Sequence, residues 1–278
     1  MTTTTAATPT TPATLRNART PRGPTTLTGR DRTATPPASW LRELARLVVP
    51  VACPGCGVVD VRWCDACQGL LTGPPARVET GAPRLDRLDG APALPVWALA
   101  PYAGPVRETV VAWKDRGRVD LDGLLGPRLR SLAHEVSALL GHAAGGRTLL
   151  VVGAPSTPAS RRSRGRDHVR VLARAAAAGL RDGGTASAVV PALARRGRGR
   201  DQVGLGARAR GRNLVGSVTV RRRVLHRSGG PRPAVLLVDD VLTTGATLAA
   251  AERALEGAGA DVLGALVVAA TPPPGTRT

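Results

Sequence analysis

The segment from Ala234 to Ala270 leaves few folds open. Ala234 to Val238 reads AVLLV, a short apolar run rich in branched residues. That is the pattern of a strand covered on both faces. Asp239 and Asp240 end the run, and Thr243 to Thr247, TTGAT, form a small-residue turn. From Leu248 the alanines, Leu255 and the pair Glu252 and Arg253 read as a helix, which Gly257 and Gly259 break. Asp261 to Ala270 then reads as a second apolar strand. A strand–loop–helix–strand unit favours a parallel sheet, hence an α/β fold with flanking helices. Ligands of such sheets sit beyond the carboxyl ends of the strands, which is where the acids and the hydroxyl turn fall.

Each residue type there suits one kind of ligand. A helix N-terminus offers unpaired N–H groups and positive partial charge, so it attracts phosphate. Gly245 permits close backbone approach, and threonine hydroxyls add donors. Two ionised carboxylates only accept hydrogen bonds, so they suit sugar hydroxyls or a hydrated cation. Ribose 5-phosphate carries a diol and a phosphate at opposite ends and matches both sets. An apolar strand ending in acids also resembles a Walker B segment, but the partner loop needs a lysine before Ser or Thr. The single lysine, Lys114, follows Ala112 and Trp113, so that reading fails. A phosphoacceptor receiver would need on the order of 100 further residues, and the sequence stops at Thr278. A buried strand with a solvated acidic turn is the bland alternative.

Four cysteines occur as Cys53, Cys56, Cys64 and Cys67, a C-x2-C-x7-C-x2-C spacing. Two such knuckles can present four thiolates to one zinc ion in a closed structural site. Two disulfides are the alternative. The N-terminus has no secretory apolar core and no run approaches the roughly 18 apolar residues of a membrane helix, so a cytoplasmic location and metal ligation are expected. Arg62 and Trp63 beside the knuckle could touch nucleic acid.

The remaining chain divides by composition. Residues 1–38 form a Thr-, Pro- and Arg-rich tail expected to be disordered. Residues 39–75 hold an amphipathic helix, Ser39 to Val48 with Ser39 as N-cap, and the knuckle; residues 76–95 read as a linker. Residues 96–272 form the α/β domain. In it, Val96 to Tyr102 reads as a strand, Gly104 to Arg116 as a helix with Val106, Val110 and Trp113 on one face, and about Leu121 to Leu140 as a second helix. Thr148 to Val152 reads as a strand ending in Gly153–Ser156, Val169 to Leu180 as a helix and Ala188 to Ala194 as a strand. Arg195 to Asn213 is read as a mobile loop. The net charge is +19, and Arg161 to Arg227 holds 18 arginines against Asp167, Asp182 and Asp201, leaving +15 in one stretch. Such a balance favours polyanions, although arginine-rich codon usage alone also inflates the count. With no Trp, Tyr or Phe in that stretch, binding there is expected to be salt-sensitive and indifferent to sequence.

Val238 to Leu248, VDDVLTTGATL, resembles the phosphoribosyl-diphosphate (PRPP) motif of type I phosphoribosyltransferases. The resemblance implies that Asp239 and Asp240 hold the ribose 2′- and 3′-hydroxyls and serve as the catalytic carboxylates. It implies that Thr243, Thr244, Gly245, Ala246 and Thr247 cradle the 5-phosphate. The order of amphipathic helix, cysteine knuckle, Trp-Lys helix, PRPP motif and last strand, from about Trp40 to Ala270, is similar to that of the ComF family. Gln202, Leu205, Arg210 and Asn213 match a family pattern, Arg164-Gly165 matches the start of its RGFNQ motif, and Lys114 matches the lysine after its first helix. Two segments depart from it: Arg166, Asp167 and His168 replace Phe-Asn-Gln, and Val152-Gly153-Ala154-Pro155 replaces Val-Pro-Val-Pro where the diphosphate loop falls. His168 is read as a surface residue.

The resemblance implies a phosphoribosyltransferase-fold protein that binds PRPP or ribose 5-phosphate with Mg²⁺, carries structural Zn²⁺, and transfers the phosphoribosyl group to an acceptor that the sequence does not name. It also implies a link to DNA uptake, with single-stranded DNA bound along Arg161–Arg227 and a competence protein or helicase as partner. The alternative is a non-catalytic single-stranded-DNA-binding or regulatory protein of DNA uptake or recombination that keeps the PRPP pocket.

Overall fold

The structure is a computed structural model that describes residues 51–87, 89–156, 165–195, 218–273 and 275. The tail, the expected helix at Ser39–Val48, Arg164, and Gln202, Leu205, Arg210 and Asn213 lie outside the described residues.

A short helix α1 (Asp65–Gly69) follows the second cysteine pair. The main sheet takes β1 (Ala76–Arg77), β2 (Val96–Pro101), β3 (Leu149–Gly153), β4 (Ser187–Val189), β7 (Ala234–Leu242) and β8 (Asp261–Ala270) in the spatial order β1-β2-β8-β7-β3-β4. Every pairing is parallel except that of β1 with β2. A separate antiparallel pair joins β5 (Leu193–Arg195) to β6 (Val218–Val220).

Parallel strands need covering elements on both faces, and β7 shows how the sequence meets this. Ala234, Leu236 and Val238 enter one core, and Val235 and Leu237 enter the other. The first core is roofed by α2 (Gly104–Asp115), α3 (Asp122–Glu135), α4 (Ser137–Ala144) and α5 (His168–Asp182). The second is roofed by α6 (Arg222–Gly229) and α7 (Ala246–Glu256), through Leu225, Leu248 and Leu255. Ala82, Leu85 and Leu94, from the stretch before β2, are buried in that second core. Helices α3 and α5 cross closely at Gly179, where an added Cβ would sit 2.0 Å from the Arg130 carbonyl oxygen.

Three elements of the sheet and its cover differ from the sequence expectation, each for a visible reason, and the start of α7 is a further case. The strand β7 does not stop at Val238. It runs through both aspartates to Leu242, because Val241 and Leu242 stay in register with Ala269 and Ala270 of β8. The helix expected over Leu121–Leu140 breaks at Val136. Just past it, buried Ser137 is drawn to the turn after α5: its hydroxyl donates to the Gly183 carbonyl at 3.1 Å and its carbonyl accepts from the Thr185 hydroxyl at 2.8 Å. The expected strand Ala188–Ala194 splits into β4 and β5 around Pro191, which has no N–H for a ladder. No helix among the described residues is long and apolar enough to cross a membrane.

Candidate functional site

At the carboxyl edge of the sheet the ends of β2, β3 and β7 surround a hollow of about 280 Å³. Asp239, Asp240, Thr243 and Thr247 all line it, so the acids and the hydroxyl turn share one cavity. Tyr102, Lys114, Ser156 and Arg195 complete much of the wall. Thr244, Gly245 and Ala246 do not line it and instead build the turn. The Thr244 hydroxyl accepts weakly from the Ala246 N–H at 3.4 Å, and its carbonyl accepts from the Arg84 N–H at 3.0 Å. Gly245 sits at φ +79°, the left-handed region, as the residue before α7. An added Cβ there would also meet Leu85 at 2.7 Å. Its glycine requirement therefore comes from the turn and the packing beneath it. Helix α7 begins at Ala246, two residues before the expected start, so its first-turn N–H groups, which lack intrahelical acceptors, belong to this turn.

The two acids occupy different electrostatic environments. Asp240 is 4% exposed, and its Oδ2 accepts from Lys114 Nζ at 2.6 Å and from His168 Nε2 at 2.6 Å. Burial raises its pKa, but the His168 hydrogen bond and the Lys114 charge more than offset this and hold the carboxyl below the usual carboxylate range. Asp239 keeps part of its surface in the hollow, and one oxygen accepts from the Asp240 backbone N–H at 2.8 Å. Burial, reinforced by the neighbouring Asp240 charge, pushes it up to about 7. One member of the pair is a fixed anion, and the other changes protonation near neutrality.

His168 corrects the surface reading: it is 2% exposed. Its ring meets Trp113 edge-on, with centroids 5.0 Å apart. The Trp113 indole N–H donates to Asp122 at 2.6 Å, Arg166 lies over the Trp113 ring at 5.5 Å, and Arg166 also pairs with Asp122. The departures at 166 and 168 thus join one network. Arg166 clamps the end of α2 to the start of α3, and His168, at the start of α5, reaches the acid in β7. Lys114 and His168 escaped assignment to the site on sequence alone, although each left a signal. Lys114 is the single lysine among 39 basic residues. His168 precedes Leu172 and Ala176 at helical spacing, on the face of α5 that is buried.

The cysteines converge apart from this hollow. The four Sγ atoms lie within 4.8 Å of one another, with Cys53–Cys64 at 3.7 Å and Cys56–Cys64 at 3.5 Å. A tetrahedron with Zn–S bonds of about 2.3 Å has edges of about 3.8 Å, so the donor set fits zinc. Burial raises the Cys53 thiol, but backbone N–H groups of Cys64, Cys56 and Gly55 prevail and bring it to about 6. Burial and the adjoining sulfurs push Cys67 up. Among the described residues this is the one cluster of three or more metal-capable side chains. The knuckle is docked on the domain by Arg118, which donates to the Ala52 and Arg62 carbonyls at 3.0 and 3.1 Å.

No family model and no curated protein matches the chain. Among solved structures it is similar to the allosteric regulatory enzyme of purine biosynthesis over 53% of this chain and 27% of that one, at 20% identity and a TM-score of 0.27. It is also similar to a hypoxanthine phosphoribosyltransferase from Staphylococcus aureus over 51% of this chain and 61% of that one, at 16% identity and a TM-score of 0.27. The chain therefore spans less than two thirds of either structure. Likeness at that TM-score is too shallow to carry an argument. The α/β class stands on the mostly parallel sheet and its two buried faces.

Proposed function

We propose that the carboxyl-edge hollow binds PRPP or ribose 5-phosphate and that the chain is a ComF-like phosphoribosyltransferase of the cytoplasm. The observation that carries this reading is the shared hollow of Asp239, Asp240, Thr243 and Thr247. The ribose diol hydrogen-bonds the aspartate oxygens left free by the Lys114, His168 and backbone contacts. The 5-phosphate lies against the threonine hydroxyls and the first turn of α7. In the reaction, the bond from C1 to diphosphate breaks with the electron pair leaving on diphosphate. The lone pair of an acceptor nitrogen forms the new bond to C1, and that nitrogen then loses its proton. Positive charge builds on the sugar meanwhile, and the fixed anion Asp240 lies on the same cavity wall. Mg²⁺ would be held mainly by the diphosphate and the ribose hydroxyls and would supply charge neutralisation there. Zinc in the cysteine knuckle is structural. Residues 39–75 and 96–272 act as knuckle and transferase units.

Calorimetry with PRPP and Mg²⁺ tests this. Hydrogen bonds to charged groups contribute about 1.5–3 kcal/mol, so Asp239→Asn/Asp240→Asn should weaken binding at least tenfold. No heat with the native chain, or unchanged affinity in the double variant, would sink it.

A second reading rests on the Asp240 contacts. With Lys114 and His168 both on Oδ2, part of the acid's capacity is already used. This favours a protein that keeps the pocket for binding alone; the net charge of +15 over Arg161–Arg227 is what would make it a single-stranded-DNA-binding protein of DNA uptake. Diphosphate release across a panel of nucleobases and amines separates the two: release supports transfer, whereas PRPP binding without release supports the binding protein.

A further inference from the structure

A second hollow, of about 320 Å³, lies on the other side of the Ala154-Pro155 wall. Its floor is apolar, made by Val169 and Ala173 of α5 and by Val190 and Leu193 after β4. Its charged rim is made by Arg170, Arg174 and Arg221, with Asp167. All three arginines are exposed, and among the described residues none has a carboxylate partner. Some arginines elsewhere on the same domain are neutralised, Arg118 by Asp120, Arg130 by Asp182, and Arg147 and Arg232 by Asp261. The N-terminus of α5 is not the source of the field here, because the Asp167 carboxylate already accepts from the Arg170 N–H at 3.1 Å.

We propose that this second hollow is a binding site for a phosphate monoester with a compact apolar body. Charge selects the headgroup. Among the described residues, three guanidinium groups against one carboxylate leave two positive charges, and a phosphate monoester carries about −1.5 to −2 at neutral pH. Guanidinium forks match phosphate oxygens two at a time. The floor selects the body: it is aliphatic, and no aromatic side chain among the described residues lines it, so it offers apolar contact without a stacking platform. The volume sits at the small end of the ligand-pocket range of about 300–1,000 Å³. The site shares the Ala154-Pro155 wall with the first hollow, in the segment where the PRPP reading puts the diphosphate loop, but neither of its aspartates, so Asp239→Asn separates the two sites.

The test is calorimetry on the full chain with three probes: n-butyl phosphate, inorganic phosphate and dibutyl phosphate, which has one charge. Butyl phosphate should bind at least threefold tighter than inorganic phosphate and at least tenfold tighter than dibutyl phosphate. Arg170→Ala/Arg174→Ala should weaken butyl phosphate at least tenfold with no fall in melting temperature, since both side chains are exposed. Asp239→Asn should leave its affinity unchanged. Absence of heat, equal affinity for the mono- and dianion, or full affinity in the double arginine variant would overturn the proposal. So would loss of binding in Asp239→Asn, which would move the anion to the first hollow. Displacement of butyl phosphate by a thymidine oligonucleotide lacking a terminal phosphate would assign the rim to nucleic acid instead.

Discussion

The cysteine knuckle and the carboxyl-edge hollow solve opposite problems. The knuckle draws its four polar ligands from 15 consecutive residues, Cys53 to Cys67, and packs few apolar residues of its own beside them. Its geometry fits an ion that the thiolates would share. The hollow draws on the ends of β2 and β3 and on α2, α5, β7 and α7, across 145 positions from Tyr102 to Thr247, and two buried cores hold those elements. In the first region a shared ion would organise the chain. In the second the chain is organised beforehand and holds charges in an arrangement they would not choose in water.

Metal removal should separate the two regions most sharply. Structural zinc contributes roughly 10–16 kcal/mol of apparent binding free energy in small knuckles at neutral pH, so the knuckle should not survive a strong chelator. Trp63, 6% exposed within it, should shift its emission to the red. Amides of 53–71 should lose hydrogen-exchange protection while those of β7 and β8 keep theirs. Simultaneous loss of protection in the sheet would break the comparison, as would elemental analysis of the purified chain showing no zinc.

The next largest effect should come from Lys114→Met. Removing one partner of a buried ion pair leaves an uncompensated charge and costs about 3–5 kcal/mol. Asp240 would then keep only His168. The sign with pH follows from its depressed pKa. Such a carboxylate contributes stability above its unfolded value, near 4, and loses it as pH falls through the lower folded value. The variant's deficit should therefore be constant above about pH 4 and shrink only as pH falls below it. Lys114→Met/Asp240→Asn should recover most of the loss. A double variant as unstable as the single one would mean that Lys114 acts through packing instead.

The same contrast explains what was legible in the chain. Knuckle ligands lie side by side, so their spacing is their geometry. The strand–turn–helix of residues 234–256 was legible for a similar reason: the apolar run, the turn residues and the alanine-rich helix are contiguous. The contacts that set the acids' charge were not. Lys114 and His168 reach Asp240 across 126 and 72 positions, and nothing in local periodicity measures such distances. Helical spacing could have placed His168 on the buried face of α5; its partner could be found only by packing α5 onto β7. The extension of β7 through two acids was hidden because carboxylates normally mark a strand's exit. Here β8 remains in register beneath them.

The smallest effect, and the one most specific to the hollow, should come from Asp239→Asn. The asparagine oxygen can still accept from the Asp240 N–H, so the turn is kept and only the titration is lost. Asp239 has a raised pKa, about 7 in the folded chain against an ordinary carboxylate when unfolded. Between about pH 4 and 7 the folded state therefore binds more protons, and native stability falls as pH rises across that window. The variant lacks this term. It should match the native chain below pH 4, gain across the window, and level off above pH 7 at roughly 1–2 kcal/mol more stable, discounted for the water that reaches the partly open carboxyl. It should also bind ribose 5-phosphate less well, because the group that destabilises the fold is the one proposed to meet the ligand. Denaturant melts of both chains at pH 4 and pH 8 check the sign. A variant less stable than the native chain at pH 8 would mean that Asp239 is a satisfied structural carboxylate, and the distinction between the two aspartates would fail with it.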